Sequence, residues 1–183
     1  MTDDALWYEA ALLVGITNAL NVVADAPLAA LEPAEASPDA EQVFAEIRAF
    51  YGRAVPVAFL RLGGDPGYLA DVWAATRRAF ADNRLTRRFK EALAFAVSVT
   101  SRSPFGTTFH LAEMRRLGVG ERGVMEVLGV TQVFSSYTKI ADTLQLESDM
   151  HGLAPVDWSP APGGPSRPHP EKAENQGSPQ SRW

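Results

Sequence analysis

Residues 91–110 read EALAFAVSVTSRSPFGTTFH. The stretch starts as an almost wholly apolar helix, breaks at Ser103-Pro104, and resumes as a second helix that carries His110 about two turns in. In the helix that begins at Arg87, the residues Arg87, Glu91, Ala94, Ser98, Ser101 and Arg102 fall close to one face. Phe89, Leu93, Phe95, Ala96, Val97 and Val99 fill the remaining faces. A helix so apolar belongs at the centre of a fold, and its single polar stripe must find partners or line a wet cavity. In the second helix Ser103, Gly106, Thr107, His110 and Met114 share a face, and an antiparallel pairing turns that face toward Glu91. The expected result is a pocket that holds a carboxylate, an imidazole and hydroxyls, with Gly106 leaving space for a small molecule or water. Such a carboxylate and imidazole suit acid–base chemistry near neutral pH. Each residue also has a purely structural explanation. Ser103 before Pro104 reads as a helix N-cap, Glu91 can pair with Arg87 one turn earlier, and a single histidine on a mixed face can simply be satisfied in the core.

The composition narrows the function classes around this stretch. The 183 residues are 46% hydrophobic, enough to bury a proper interior. A net charge of −5 argues against nucleic-acid binding, which needs clustered positive charge, and the arginine pairs at 77–78, 87–88 and 115–116 read as solvated helix faces. The absence of cysteine removes disulfides, zinc–thiolate sites and every thiol mechanism. No metal or cofactor is expected. The N-terminus is acidic at Asp3 and Asp4, the reverse of a signal peptide, and no run is expected to reach the ~18 apolar residues of a membrane span. A cytoplasmic protein with no membrane partner follows as the expectation.

The rest of the chain reads as helices. Residues 6–26 form an apolar helix with hydrophobic residues on most faces, ended by Pro27 and followed by a linker over 29–37. Ser37-Pro38-Asp39 starts a helix whose stripe is Val43, Phe44, Ile47, Phe50 and Tyr51, stopped by Gly52. A short apolar piece over 55–60 leads to the turn Gly63-Gly64-Asp65-Pro66, which opens a helix with the stripe Leu69, Val72, Trp73, Thr76 and Phe80. Asp82-Asn83 ends that helix. Thr86 caps the next, to about Ser101, and Ser103 caps another, to about Leu117 before Gly118. A last helix spans roughly Glu121 to Leu146. Residues 153–183, rich in proline, glycine, serine and charge, are expected to be a disordered tail, so that 1–152 form a single all-α domain. At an offset of 117, Glu9 aligns with Glu126 and Ala24-Asp25 with Ala141-Asp142, an internal echo that makes the first helix a candidate copy of the last.

Glu91, Ser103, Gly106 and His110 resemble the signature of the alkylhydroperoxidase-like, or carboxymuconolactone decarboxylase, superfamily, with both of its cysteines replaced. In that signature a glutamate is followed by Cys-x-x-Cys and then, after three intervening residues, by a histidine. Leu85 to Ser98 is similar to the family's helix entering the motif, and Leu111-Ala112 through Leu117-Gly118 to its exit. The last helix, with Glu126 and Ala141-Asp142, is similar to the closing helix, and residues 9–25 resemble it again. The similarity covers roughly residues 40–150 plus the N-terminal copy. It implies an orthogonal bundle of about six to seven helices and assembly into homo-oligomers, as trimers or hexamers.

The departures from the signature set the expected chemistry. A peroxidase of this family attacks peroxide with one cysteine and closes a disulfide with the other. Ser103 has neither thiolate nucleophilicity nor a reversible oxidised state, and Gly106 has no side chain, so thiol peroxidase activity is excluded. The decarboxylase branch also lacks the cysteine pair and keeps a histidine at this place. The tryptophan and acids that it carries before that histidine are not matched by Pro104, Gly106 and Thr107. The resemblance and its departures together imply a cysteine-free relative that binds a small organic acid or lactone and protonates or decarboxylates it. In that scheme His110 is the general acid or base, Glu91 tunes or relays its proton, and Ser98, Ser103, Gly106 and Thr107 form the ligand's surroundings. The alternative is a catalytically inactive scaffold that serves oligomerisation or binds a partner protein.

Overall fold

In the computed structural model, which describes residues 4–146, the chain forms seven α-helices and, among the described residues, no strand. The helices are α1 (Asp4–Asp25), α2 (Pro38–Tyr51), α3 (Val57–Leu62), α4 (Pro66–Phe80), α5 (Arg87–Thr100), α6 (Pro104–Arg116) and α7 (Glu121–Leu144). The compact unit ends at Gln145, and the proposed tail and the boundary at 152 lie outside the described residues.

Local chemistry sets most of these boundaries. The Ser37 hydroxyl accepts from the Ala40 amide at 3.2 Å, Asp65 from Tyr68 at 3.0 Å, Thr86 from Phe89 at 3.3 Å and Ser103 from Gly106 at 2.9 Å. Each satisfies an amide that the first helical turn leaves unpaired, and three of the four are followed by a proline whose missing N–H costs nothing there. Gly118 ends α6 in the left-handed region at φ 82, a conformation open to glycine.

Three expectations from the sequence change. The apolar piece before Gly63 is a helix in its own right, α3, which buries Ala58, Phe59 and Leu62 behind Pro56. The helix at the N-terminus is covered on one face only: Leu13, Thr17, Leu20, Asn21 and Ala24 are buried, while Trp7, Tyr8 and Val22 are exposed. By length and composition α1 also suffices to cross a membrane, with a mean hydropathy of 1.3, contrary to the sequence expectation. Its buried face nonetheless packs against α3, α4, α5 and α6, as a core helix does.

The largest core cluster joins α1 to α4 through Leu20, Phe44, Ile47, Tyr51, Phe59 and Trp73. A second joins Leu13 to Phe80 and Ala94, and a third sets Phe95 and Met114 against Val124 of α7. The hairpin of α5 and α6 is thus held by α1 and α4 on one side and by the start of α7 on the other. Both members of the proposed echo, α1 and α7, contact α5.

Candidate functional site

Thr86 fixes the start of α5 and Ser103 the start of α6, so Glu91 and His110 occupy set positions on two packed helices. They meet inside the protein. His110 Nδ1 lies 2.7 Å from Glu91 Oε2, with the glutamate fully buried and the histidine 5% exposed. An ionised carboxylate only accepts, so in this pair Nδ1 carries the proton and donates it, which leaves Nε2 as the nitrogen able to exchange a proton with a ligand. The imidazole is held flat against Phe80, with ring centroids 5.8 Å apart and planes 7° apart, and meets Phe109 edge-on at 5.2 Å. Three contacts therefore fix the ring.

The other glutamate oxygen is also engaged. Arg87 Nε donates to Glu91 Oε1 at 2.6 Å, so the one-turn pairing and the pairing across the hairpin coexist. The Arg87 guanidinium lies over the rings of Phe50 at 4.4 Å, Phe80 at 5.3 Å and Tyr51 at 5.4 Å. Its Nη2 is buried without a hydrogen-bond acceptor and stands 3.6 Å from Glu113 Oε2. Glu113, fully buried one turn after His110, takes both Nε and Nη2 of Arg116 at 3.0 and 2.7 Å, and Arg53 at 3.5 Å. Three guanidiniums and two carboxylates thus form one linked network, which meets the histidine through Glu91. Burial raises the Tyr51 hydroxyl well above the usual phenol value, and the nearby charges of Glu91 and Glu113 add to this against the opposing charge of Arg87. That phenol stays neutral and supplies no base.

The remaining residues singled out in the sequence look inward. The Ser98 hydroxyl donates to the Ala94 carbonyl at 2.8 Å and accepts from Asn21 Nδ2 at 3.0 Å. Ser103 is committed to its cap, and half-buried Thr107 gives its amide to the Ser103 carbonyl at 3.0 Å. The space expected beside Gly106 is occupied. A Cβ at this glycine would stand 2.1 Å from Asn21 Oδ1 and 2.4 Å from Ser98 Oγ, so the Asn21 amide fills the gap that the missing side chain leaves. Asn21 also lines a cleft of about 250 Å³ with Asn18, Asp25, Ser101 and Ser103. Two of these residues were open to a closer reading of the sequence. Glu113 follows His110 by three positions on the same helix, and Asn21 follows Thr17 by four on one face of a largely apolar helix, a polar stripe that calls for a partner.

Among the described residues no cluster of three or more histidine and carboxylate groups has the makings of a metal site. Residues 66–146 match the model of the carboxymuconolactone decarboxylase family. The fold is similar to the crystal structure of the core of the alkylhydroperoxidase AhpD from Rhodospirillum rubrum, with a TM-score of 0.65 and 24% identity over 72% of this chain and 99% of that one. No curated protein matches the chain.

Proposed function

We propose that this chain, which matches the carboxymuconolactone decarboxylase family over residues 66–146, shares the fold of an alkylhydroperoxidase core and carries no cysteine, is a member of that superfamily that performs thiol-free acid–base chemistry on a small organic acid or lactone. The observation that supports this reading is the buried His110–Glu91 contact at 2.7 Å. Glu91 has both oxygens engaged, one by His110 and one by Arg87, and so acts as the group that orients the ring. His110 is the proton carrier. As a base, Nε2 removes a proton from carbon next to a carboxylate or lactone carbonyl. As an acid, it returns a proton to that carbon after the electron pair has been left there, by isomerisation or by departure of carbon dioxide. Arg53 and Arg116, each about half exposed beside Glu113, offer positive charge to an acidic ligand. The protein works as a cytoplasmic homo-oligomer, a trimer or hexamer.

A second reading is favoured by Asn21. With the space at Gly106 filled, and Ser98 and Ser103 committed to internal bonds, the domain also fits an inactive scaffold built on the same hairpin. A thermal-shift screen of unsaturated dicarboxylic acids and unsaturated lactones separates the two. The acid–base reading expects at least one compound to raise the melting temperature of the wild type, and His110→Ala to lose that shift. A shift unchanged in His110→Ala, or none across the set, would favour the scaffold.

A further inference from the structure

Helix α1 carries a buried hydroxyl that nothing in the fold engages. Thr17 is fully buried, and its Oγ1 has no hydrogen-bond partner among the described residues. A threonine inside a helix ordinarily turns its hydroxyl onto the carbonyl one turn back. Thr76 donates to Val72 in this way at 2.7 Å, Thr108 to Pro104 at 2.9 Å and Thr131 to Val127 at 2.8 Å. Thr17 makes no such bond to Leu13. A buried donor without an acceptor is costly, and valine has the same shape without that cost, so packing alone gives no reason for a hydroxyl here.

The register of α1 on the hairpin places this hydroxyl beside the histidine. Asp25 accepts from the Phe105 amide at 3.3 Å, and Asn21 Oδ1 stands against Gly106. The two helices therefore run antiparallel, and one further turn, back along α1 and forward along α6, brings Thr17 level with His110. The contacts with α5 agree. Leu13 packs in one cluster with Phe80 and Ala94, while Asn21 reaches Ser98 and Ser101, so Thr17 falls between those two levels. Phe80 is also the ring on which His110 stacks. The imidazole has Nδ1 on Glu91, one face on Phe80 and an edge-on contact with Phe109. Helix α1, packed on both α5 and α6, closes the site from another side.

We propose that Thr17 is a further ligand-contacting residue: its hydroxyl faces the Nε2 side of His110 and donates to the carboxylate or lactone carbonyl oxygen of the small acid on which His110 acts. This deepens the acid–base reading and rests on it. When Nε2 takes the proton from the carbon next to that carbonyl, the electron pair of the C–H bond forms a carbon–carbon double bond, and the carbonyl oxygen becomes an enolate oxygen. The proton resides on Nε2 and the hydroxyl keeps its own, while its hydrogen bond strengthens as negative charge gathers on the oxygen. In the reverse direction the same carbon recovers the proton from Nε2. Neighbouring donors are committed elsewhere. The Asn21 amide nitrogen is held by Ser98 and Ser101, and the Ser98 hydroxyl donates to the Ala94 carbonyl. Thr17 differs from both in having a donor to give.

The test compares full-length Thr17→Val, which keeps the shape and removes the hydroxyl, with Thr17→Ser, which keeps the hydroxyl. Without ligand, Thr17→Val should unfold at a higher urea concentration than the wild type, because it removes an unpaired buried donor. In two-bond proton–nitrogen spectra of the imidazoles, the His110 signals, assigned by their loss in His110→Ala, should show Nε2 moving more than Nδ1 in Thr17→Val. For an unsaturated dicarboxylic acid or lactone that raises the wild-type melting temperature, the Kd should rise about tenfold or more in Thr17→Val and stay within roughly threefold in Thr17→Ser. A Thr17→Val chain less stable than the wild type would mean that the hydroxyl has a structural partner. An unmoved Nε2 would mean that α1 does not face that side of the ring. Undiminished affinity in Thr17→Val would mean that the ligand does not use the hydroxyl. Each of these overturns the proposal and leaves the acid–base reading standing. If no compound shifts the wild type, the acid–base reading itself fails and takes the ligand contact with it.

Discussion

The central hairpin and the last helix distribute their side chains in opposite ways. Helices α5 and α6 bury Lys90, Glu91, His110 and Glu113, whereas α7 beyond Thr131 leaves Val133, Phe134, Tyr137, Ile140 and Leu144 in contact with water. The hairpin keeps its charges inside because each has a partner: Lys90 pairs with Glu9 of α1, Glu91 with Arg87 and His110, and Glu113 with Arg116. Helix α7 keeps its apolar groups outside because, among the described residues, no other element covers them. The contrast separates a region whose charges are paired within the described residues from a region whose apolar groups those residues leave uncovered, and substitutions in the two should differ accordingly.

The largest effect is expected at Glu91. Glu91→Ala leaves the nearly buried Arg87 guanidinium and His110 without their acceptor, and breaking a buried pair in this way typically costs about 3–5 kcal/mol. Leu144→Ser on the exposed face of α7 should change monomer stability by less than about 0.5 kcal/mol. Urea unfolding of both variants, at a concentration where the chain is monomeric, checks the pair. Similar costs at the two sites would show that the hairpin charges are solvated and that the contrast fails.

Gly106 gives the next effect. Gly106→Ala drives a methyl group into Asn21 Oδ1 and Ser98 Oγ, an overpacking that costs roughly 1–3 kcal/mol. Because the nearer of the two obstacles is an amide from α1, Gly106→Ala with Asn21→Ala should be less destabilising than the sum of the single changes, with a coupling of about 0.5–3 kcal/mol by denaturant unfolding. Strict additivity would mean that Asn21 does not occupy that space in solution.

How much of the structure is legible in the sequence depends on how local the cause is. Ser37-Pro38, Asp65-Pro66, Thr86 and Ser103-Pro104 announce their helices because the capping interaction lies within three residues of sequence. Helix α3 is hidden because six residues give the pattern Ala58, Phe59, Leu62 too little length to stand out from an extended apolar piece. At the site, the spacing across the hairpin and the family resemblance both point to Glu91 and His110 facing each other, and the two side chains are in contact. The partner of Asn21, as distinct from its need for one, could not be read in this way. It reaches Ser98 across 77 residues, and no local pattern specifies which face of α1 docks against which glycine. The same holds for Glu113, whose arginines come from the segment after α2, from α5 and from α6.

The smallest effect concerns acid, and it falls on the tie between α1 and the hairpin. Burial by itself would raise the Glu9 carboxyl, but hydrogen bonds from Lys90 and from the amides of Leu85 and Arg84, together with the Lys90 charge, outweigh it and hold the group below its ordinary value of 4.5. A carboxyl depressed in the folded state binds protons more readily once the chain unfolds. Its contribution is therefore complete above the unfolded value and is lost as pH falls from about 4.5 through the lower, folded value. Glu9→Gln should be less stable than the wild type at neutral pH, and the difference should narrow as pH falls below that point, measured as urea midpoints between pH 7 and pH 3. Helix α7 has no buried carboxylate in its outward half, so a variant of its exposed face such as Leu144→Ser should keep a constant offset from the wild type across the same range. A Glu9→Gln difference that instead grew in acid would mean that burial, and not Lys90, controls the carboxyl, and that the charge closing α1 onto the hairpin is held at a cost.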